Sequence, residues 1–268
     1  MKKGRILPIY TGLVIAYLFI PIFVMALFGF NDPVGRFNFQ WHGFTLEWYR
    51  RLFDVEELVI GIKNSLLVAT VSTFFATIFG TLMALAISRY KFRGRSALNL
   101  FIFIPMATPE VVLGVSLLGL FVTLQLSRGF LTLVITHILF CISYVVVTVR
   151  ARTTNLDSNL EDAAQDLGAD PWTTFWTVTF PLILPGIVAG AFLAFALSID
   201  DYVISSFNAG STITLPLWIV GASRIGVPPQ VNVMGTLLFM VGVLYVVGAV
   251  IAGRRKEKLI APPVLSKG

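Results

Sequence analysis

Charge is scarce in this sequence, and so are the residues that build disulfide and metal sites. Only 13% of its 268 residues are charged, against 56% hydrophobic, and the mean hydropathy is +0.85. That leaves more apolar surface than a water-soluble domain of this size can bury, so the bilayer is the expected solvent. A single cysteine, Cys141, lies in an apolar run. One thiol excludes an internal disulfide and argues against a Cys-based zinc module, so Cys141 reads as a small core residue. The two histidines, His42 and His137, stand far apart with no ligand-like spacing to carboxylates or to Cys141, so no metal site is expected. The phosphate-cradling pattern G-x-x-x-x-G-K-[ST] is missing, and most glycines sit in apolar runs where close helix packing explains them. No basic run is interleaved with aromatics, which makes nucleic acid the weaker explanation of a net charge of +6.

What is present in quantity is long charge-free sequence. A membrane helix needs about 20 predominantly apolar residues. Ile6 to Phe30, Asn64 to Ser88 and Gly129 to Val149 carry no charge, and Ser96 to Ser127 carries only Glu110. Leu182 to Ile199 is short but clean, and Ile225 to Gly253 is clean after Pro228 and Pro229. These runs predict an all-α membrane protein of six transmembrane helices, roughly 7–30, 64–88, 97–126, 129–149, 182–201 and 231–252, forming one domain over 1–268. Lys2, Lys3 and Arg5 before the first run resemble the start of a signal peptide. The apolar run exceeds a usual signal core, however, and no A-x-A site follows, so it reads as an uncleaved span.

Counting Lys and Arg on alternate sides of the six spans orients the chain. One side holds fourteen: Lys2, Lys3, Arg5, Arg89, Lys91, Arg93, Arg95, Arg150, Arg152, Arg254, Arg255, Lys256, Lys258 and Lys267. The other holds six: Arg36, Arg50, Arg51, Lys63, Arg128 and Arg224. Both termini are therefore expected in the cytoplasm, and the excess positive charge faces anionic lipid at the inner surface.

This orientation puts an unusually acidic stretch, "LEDAAQDLGADPWTTFWTVTFPLILPG", in a cytoplasmic loop over 150–181. Ser158 and Glu161 have capping-box spacing, Leu160, Ala163, Ala164 and Leu167 share a helical face, and Gly168 supplies a stop. The chain then restarts with Asp170 as N-cap and Pro171 at the first helical position. Trp172, Phe175 and Trp176 follow at helical spacing until Pro181, which is expected to interrupt the helix. A helix, a turn and a helix result, with an apolar face the bilayer cannot cover. Such a loop either packs on its own bundle, lies at the interface, or meets a partner.

These residues resemble the "EAA" loop of the inner-membrane permease subunits of bacterial ABC importers. That pattern is E-A-A, three residues, G, an aromatic and aliphatic helix, then P-L-x-x-P-G. It is matched here by Asp162-Ala163-Ala164, Gly168, Phe175, Val178, Pro181-Leu182 and Pro185-Gly186. The departure is Asp162 where the family has glutamate, with Glu161 beside it, and which carboxylate makes the family's polar contact stays open. The resemblance implies the type I importer permease fold and a coupling helix seated on a cytoplasmic ABC ATPase dimer. Glu161, Asp162, Ala163, Ala164, Gly168, Phe175 and Val178 would be its coupling residues. It also implies a homologous second permease, a periplasmic solute-binding protein, and no ATP hydrolysis or cofactor on this chain, since ATP belongs to the ATPase. The fragments "YLFIPI", "WYRRLF", "NSLLVAT", "RYKFRGR", "HILFCISYVVVTVRAR", "AAQDLGA" and "LSIDDYVISSF" narrow the resemblance to the second permease of spermidine/putrescine importers. Close relatives carry opines, aminophosphonates and other small solutes.

A polycation's path should offer carboxylates, which are expensive in a membrane unless used. Glu110 follows Pro105 and Pro109, which break the third span, and Thr108 is placed to cap the new helix. Glu110 either complements that helix dipole or lines the pathway. Asp200 and Asp201 end the fifth span. Negative charge is unfavourable at a helix C-terminus, so the pair reads as pathway residues rather than a plain solvated end, and Tyr202 could add a cation–π contact. Externally, Trp41, Trp48 and Tyr49 read as interfacial anchors within 31–63, a region that could form an amphipathic helix on the outer face or receive the binding protein. The 211–230 segment is the second docking candidate. The rival readings are a secondary transporter or channel, which would call for inverted repeats or matched broken helices, and a scaffold without transport, which would leave the loop unexplained.

Overall fold

The computed structural model describes residues 6–35, 37–154, 156 and 159–260. Helices follow in the order α1 Ile6–Phe28, α2 Glu47–Arg50, α3 Glu56–Arg89, α4 Arg95–Ala107, α5 Glu110–Thr123, α6 Phe130–Thr154, α7 Asn159–Asp166 and α8 Pro171–Thr174. A π-helical turn, Phe175–Thr179, leads into α9 Phe180–Asp200, α10 Val203–Asn208, α11 Leu215–Ser223 and α12 Gln230–Ile260. The chain divides into two compact units, Glu56–Val220 and the terminal segments Met1–Val55 with Gly221–Gly268.

In the central unit α3, α6 and α9 pack on one another. Lipid is as apolar as leucine, so helices associate there by close contact and interhelical hydrogen bonds, which favour small residues. The buried side of α3 is such a stripe: Ser65, Ala69, Ser72, Ala76, Gly80 and Ala84 recur every three or four residues. At Gly80 a Cβ would lie 2.7 Å from Val145 Cγ1 of α6, so any larger residue would push the two helices apart. Val145, Val146, Val149, Phe140 and Cys141 of α6 form the core with Ala194 of α9. Cys141 is fully buried, its thiol 3.4 Å from the Ala194 carbonyl.

In the terminal unit α1 packs on α12, with Phe19 and Phe239 edge to face at 6.1 Å. The chain leaving α1 is folded by Asn31, whose amide donates to Asn38 Oδ1 and to the Gln40 carbonyl, both at 2.6 Å, while Asn38 Nδ2 caps the Phe28 carbonyl at 2.8 Å. Trp48 Nε1 donates to the Asn31 carbonyl at 2.7 Å, and Tyr49 stacks on Phe30 at 4.8 Å. These two aromatics thus tie the segment to the end of α1. The outer amphipathic helix that the sequence allows is reduced to α2, four residues long.

Among the described residues four helices are long and apolar enough to cross a membrane, and α4 with α5 would make a fifth. The run expected as one span over 97–126 is two helices meeting at 112°. Pro109 lacks the N–H that would continue the ladder, and Thr108 does not cap α5: its hydroxyl turns back to the Ile104 carbonyl at 2.7 Å. The sixth expected span, 231–252, lies within α12. Helix α3 starts at Glu56, well before the first charge-free residue. Pro181 does not interrupt its helix either: Pro171–Asp200 runs through as one helix of 30 residues. The π turn just ahead of Pro181 uses i to i+5 bonding, with Phe180 N–H donating to the Phe175 carbonyl, and so takes up the proline without a break.

Candidate functional site

Two places gather the polar side chains, the 150–181 loop and the junction of α6, α9 and α10. In the loop, Ser158 of the expected capping box lies outside the described residues. Helix α7 is followed, two residues past its end, by Gly168, whose φ of +90° is left-handed, a conformation glycine adopts without a Cβ penalty. Its N–H donates to the Gln165 carbonyl at 2.8 Å and the Ala169 N–H to the Ala164 carbonyl at 3.1 Å, the paired bonds of a Schellman stop. The restart is also as read: Asp170 accepts from the Trp172 N–H at 3.2 Å and from the Thr173 hydroxyl. The Thr173 bond, with the backbone amides, holds the Asp170 carboxyl below the usual range.

The two adjacent carboxylates of the motif separate. Glu161 is turned inward, its Oε1 2.8 Å from Arg89 Nη2 and 2.6 Å from the Thr179 hydroxyl that donates to it. Asp162 and Ala163 are exposed, Ala164, Phe175 and Val178 are half-buried, and Gly168 is exposed. On the outer side Leu167 is 90% exposed, Trp172 69% and Trp176 46%. Together they leave an exposed apolar face on the loop.

The acids at the end of α9 also separate. Asp200 is exposed, whereas Asp201 is 9% exposed. The Asp201 carboxylate accepts from the Ile204 N–H at 3.2 Å and from the Ser205 N–H and hydroxyl, both at 2.8 Å. Negative charge at the end of α9 is thereby offset by the first amides of α10. His137 of α6 completes the cluster: Nδ1 is 2.6 Å from Ser198 Oγ, Nε2 3.0 Å from Ser205 Oγ and 3.5 Å from Asp201 Oδ2. Ser198 Oγ in turn lies 3.2 Å from Ser72 Oγ on α3. The polar junction therefore ties together the helices that pack in the central unit. Tyr202 is half-buried beside it. Glu110 is the exposed first residue of α5.

Sequence reasoning missed His137, Ser198, Ser205 and Ser72 here, and Arg89 and Thr179 at the loop. The available signal was a polar residue inside an apolar run, which inside a membrane implies a partner. Parts of the two segments read as docking candidates, 31–63 and 211–230, line one cavity within the terminal unit. Pro33, Asn38 and Trp48 line this cavity of about 330 Å³ with Ile225, Pro228 and Gln230.

Residues 76–255 match the family described as binding-protein-dependent transport system inner membrane component. The spermidine/putrescine transport system permease protein PotC of Escherichia coli is 39% identical over 244 residues, covering 91% of this chain and 92% of that protein. The putrescine transport system permease protein PotI of Escherichia coli is 35% identical over 240 residues, covering 87% of this chain and 84% of its own. Among solved structures, a bacterial ABC transporter involved in the import of alginate superposes with a TM-score of 0.63 at 16% identity, covering 97% of this chain and 99% of that one. The MetNI methionine ABC transporter gives 0.58 at 20% identity, covering 76% and 96%. By the family match and the extent of these identities, the chain belongs to the binding-protein-dependent transport system inner membrane components and is a multi-pass membrane protein.

Proposed function

We propose that this chain is one permease of an ATP-driven polyamine importer of the bacterial inner membrane. It has six spans and both termini in the cytoplasm, and forms the pathway with a homologous second permease. A cytoplasmic ATPase dimer seats on the 150–181 loop and a periplasmic binding protein delivers the solute. The chain hydrolyses no ATP and holds no cofactor. The observation that carries the cargo is the 39% identity, spread over 91% of the chain, to a spermidine/putrescine permease. The exposed apolar face of Leu167, Trp172 and Trp176 supports the seat for the ATPase.

On this reading Asp200, exposed at the end of α9, offers its charge to the cation, and Tyr202 and Glu110 lie along the same path. Asp201, engaged with Ser205 and His137, holds the helix junction in place. Uptake of labelled spermidine and putrescine into vesicles holding the assembled complex tests this, with amino acids as competitors. Asp200→Asn keeps size and hydrogen bonding and removes the charge. It is expected to lower uptake on the order of tenfold, the equivalent of about 1.4 kcal/mol. Glu110→Gln should lower it by only about two- to threefold if that carboxylate mainly complements the α5 dipole. Parental uptake by Asp200→Asn would remove Asp200 from the pathway, and amino acid uptake in place of polyamine uptake would replace the cargo.

A further inference from the structure

Helix α7 carries the motif but packs chiefly on α8 and the π turn, that is, on its own loop. Its link to the long helix α3 is polar. Arg89, the last residue of α3, places Nη2 2.8 Å from Glu161 Oε1, and the same oxygen accepts the Thr179 hydroxyl at 2.6 Å. Three chain segments thus converge on one carboxylate oxygen: the end of α3, α7, and the π turn that opens into α9. The Arg89 and Glu161 side chains are 21% and 24% exposed, so solvent screens them less than a surface pair. Arg89 also sits where a cation complements the C-terminal end of the α3 dipole.

The surroundings of this oxygen are not filled. A cavity of about 530 Å³ adjoins it, lined by Leu82, Leu85, Tyr90, Gln165 and Phe175 among others. Densely packed side chains transmit displacement by contact. Beside a half-open cleft that route is weak for α7, and the charged pair becomes its link to α3.

We propose that Arg89, Glu161 and Thr179 form a positioning clamp that passes movement of the α7–α8 loop to α3 and α9. In this arrangement Glu161 is the inward carboxylate of the motif and the exposed Asp162 is left for the ATPase. The proposal rests on the reading of that loop as the ATPase seat.

The test uses the complete complex in vesicles, with three readings on each variant: ATPase retained on purification, ATP hydrolysis with and without loaded binding protein, and solute taken up per ATP hydrolysed. Glu161→Gln and Arg89→Gln are expected to keep the ATPase bound while uptake per ATP falls about tenfold, as for loss of a partly buried charged pair. Thr179→Val, which leaves the ion pair, should lose about two- to threefold. The exchange Arg89→Glu with Glu161→Arg restores opposite charges and should recover uptake per ATP to within about threefold of the parent. Parental uptake per ATP in Glu161→Gln would overturn the clamp. So would loss of the ATPase from Glu161→Gln and from the exchange variant alike, because Glu161 would then be a direct partner contact. If the parental chain itself retains no ATPase, the underlying reading of the loop fails instead.

Discussion

Alanine in place of Asp201 is expected to lower the melting temperature of the purified permease by about 6–12 °C, whereas Asn in place of the neighbouring Asp200 should leave it unchanged. The Asp201 carboxylate accepts three hydrogen bonds from α10, and its removal strands the buried Ile204 and Ser205 donors and the His137 Nε2 that faces it. A buried donor left without an acceptor costs about 1–3 kcal/mol. A combined loss of about 3 kcal/mol corresponds to roughly that shift for a chain of this size. Asp201→Asn retains an acceptor oxygen and should fall between the two. Thermal unfolding followed by tryptophan fluorescence in detergent is the measurement. A melting temperature of Asp201→Ala within a degree of the parent would mean that the junction of α9 and α10 does not depend on this side chain.

The second large effect is expected at Gly168. Nothing lies within 4 Å of where its Cβ would be, yet its φ is +90°, so substitution there acts through the backbone alone. A left-handed conformation costs an L-residue about 1–2 kcal/mol, and it suits a β-branched side chain worst. Gly168→Val should therefore reduce uptake at least about tenfold by re-angling α7 against α8, with the bundle intact and the chain still inserted. Asparagine tolerates this region better than alanine or valine, so the expected order of uptake is Gly, Asn, Ala, Val. Equal loss in all three variants, or none, would contradict a conformational role for Gly168. At the exposed Asp162, Asp162→Glu has room for one more methylene and restores the residue of the motif, so uptake within about twofold of the parent is expected.

Much of the helical content could be read from charge alone. The runs 64–88 and 182–199 fall inside α3 and α9, and 129–149 inside α6 but for Gly129, because a span without Asp, Glu, Lys or Arg has few alternatives to an apolar helix. Taking charges as helix ends also misplaced the start of α3: Glu56 and Glu57 occupy its first turn, where acidic residues suit the dipole. Pro105 and Pro109 announced a discontinuity, but a bend of 112° depends on tertiary packing that no local pattern encodes. At the loop, Gly168 and Asp170 were legible because stops and caps are local chemistry. The partners of Glu161 and His137 were not. Thr179 is 18 residues from Glu161, Ser198 is 61 and Ser205 68 residues from His137, and only the fold brings such pairs together.

The π turn sets the rotational phase of the long helix that carries the loop into the bundle. Inward-facing residues recur at Ile183, Gly186, Gly190, Ala194 and Ser198, three or four apart, but between Thr174 and Thr179 the step is five. In a plain α-helix a five-residue step would set Thr174 about 140° out of line with that stripe, since each residue turns the axis by about 100°. The extra residue absorbed between 175 and 179 keeps both halves facing the same way. Straightening the turn into plain α-helix with all its residues kept would swing the outer half, with Trp172, about 100° around its axis, presenting the wrong side to whatever it meets.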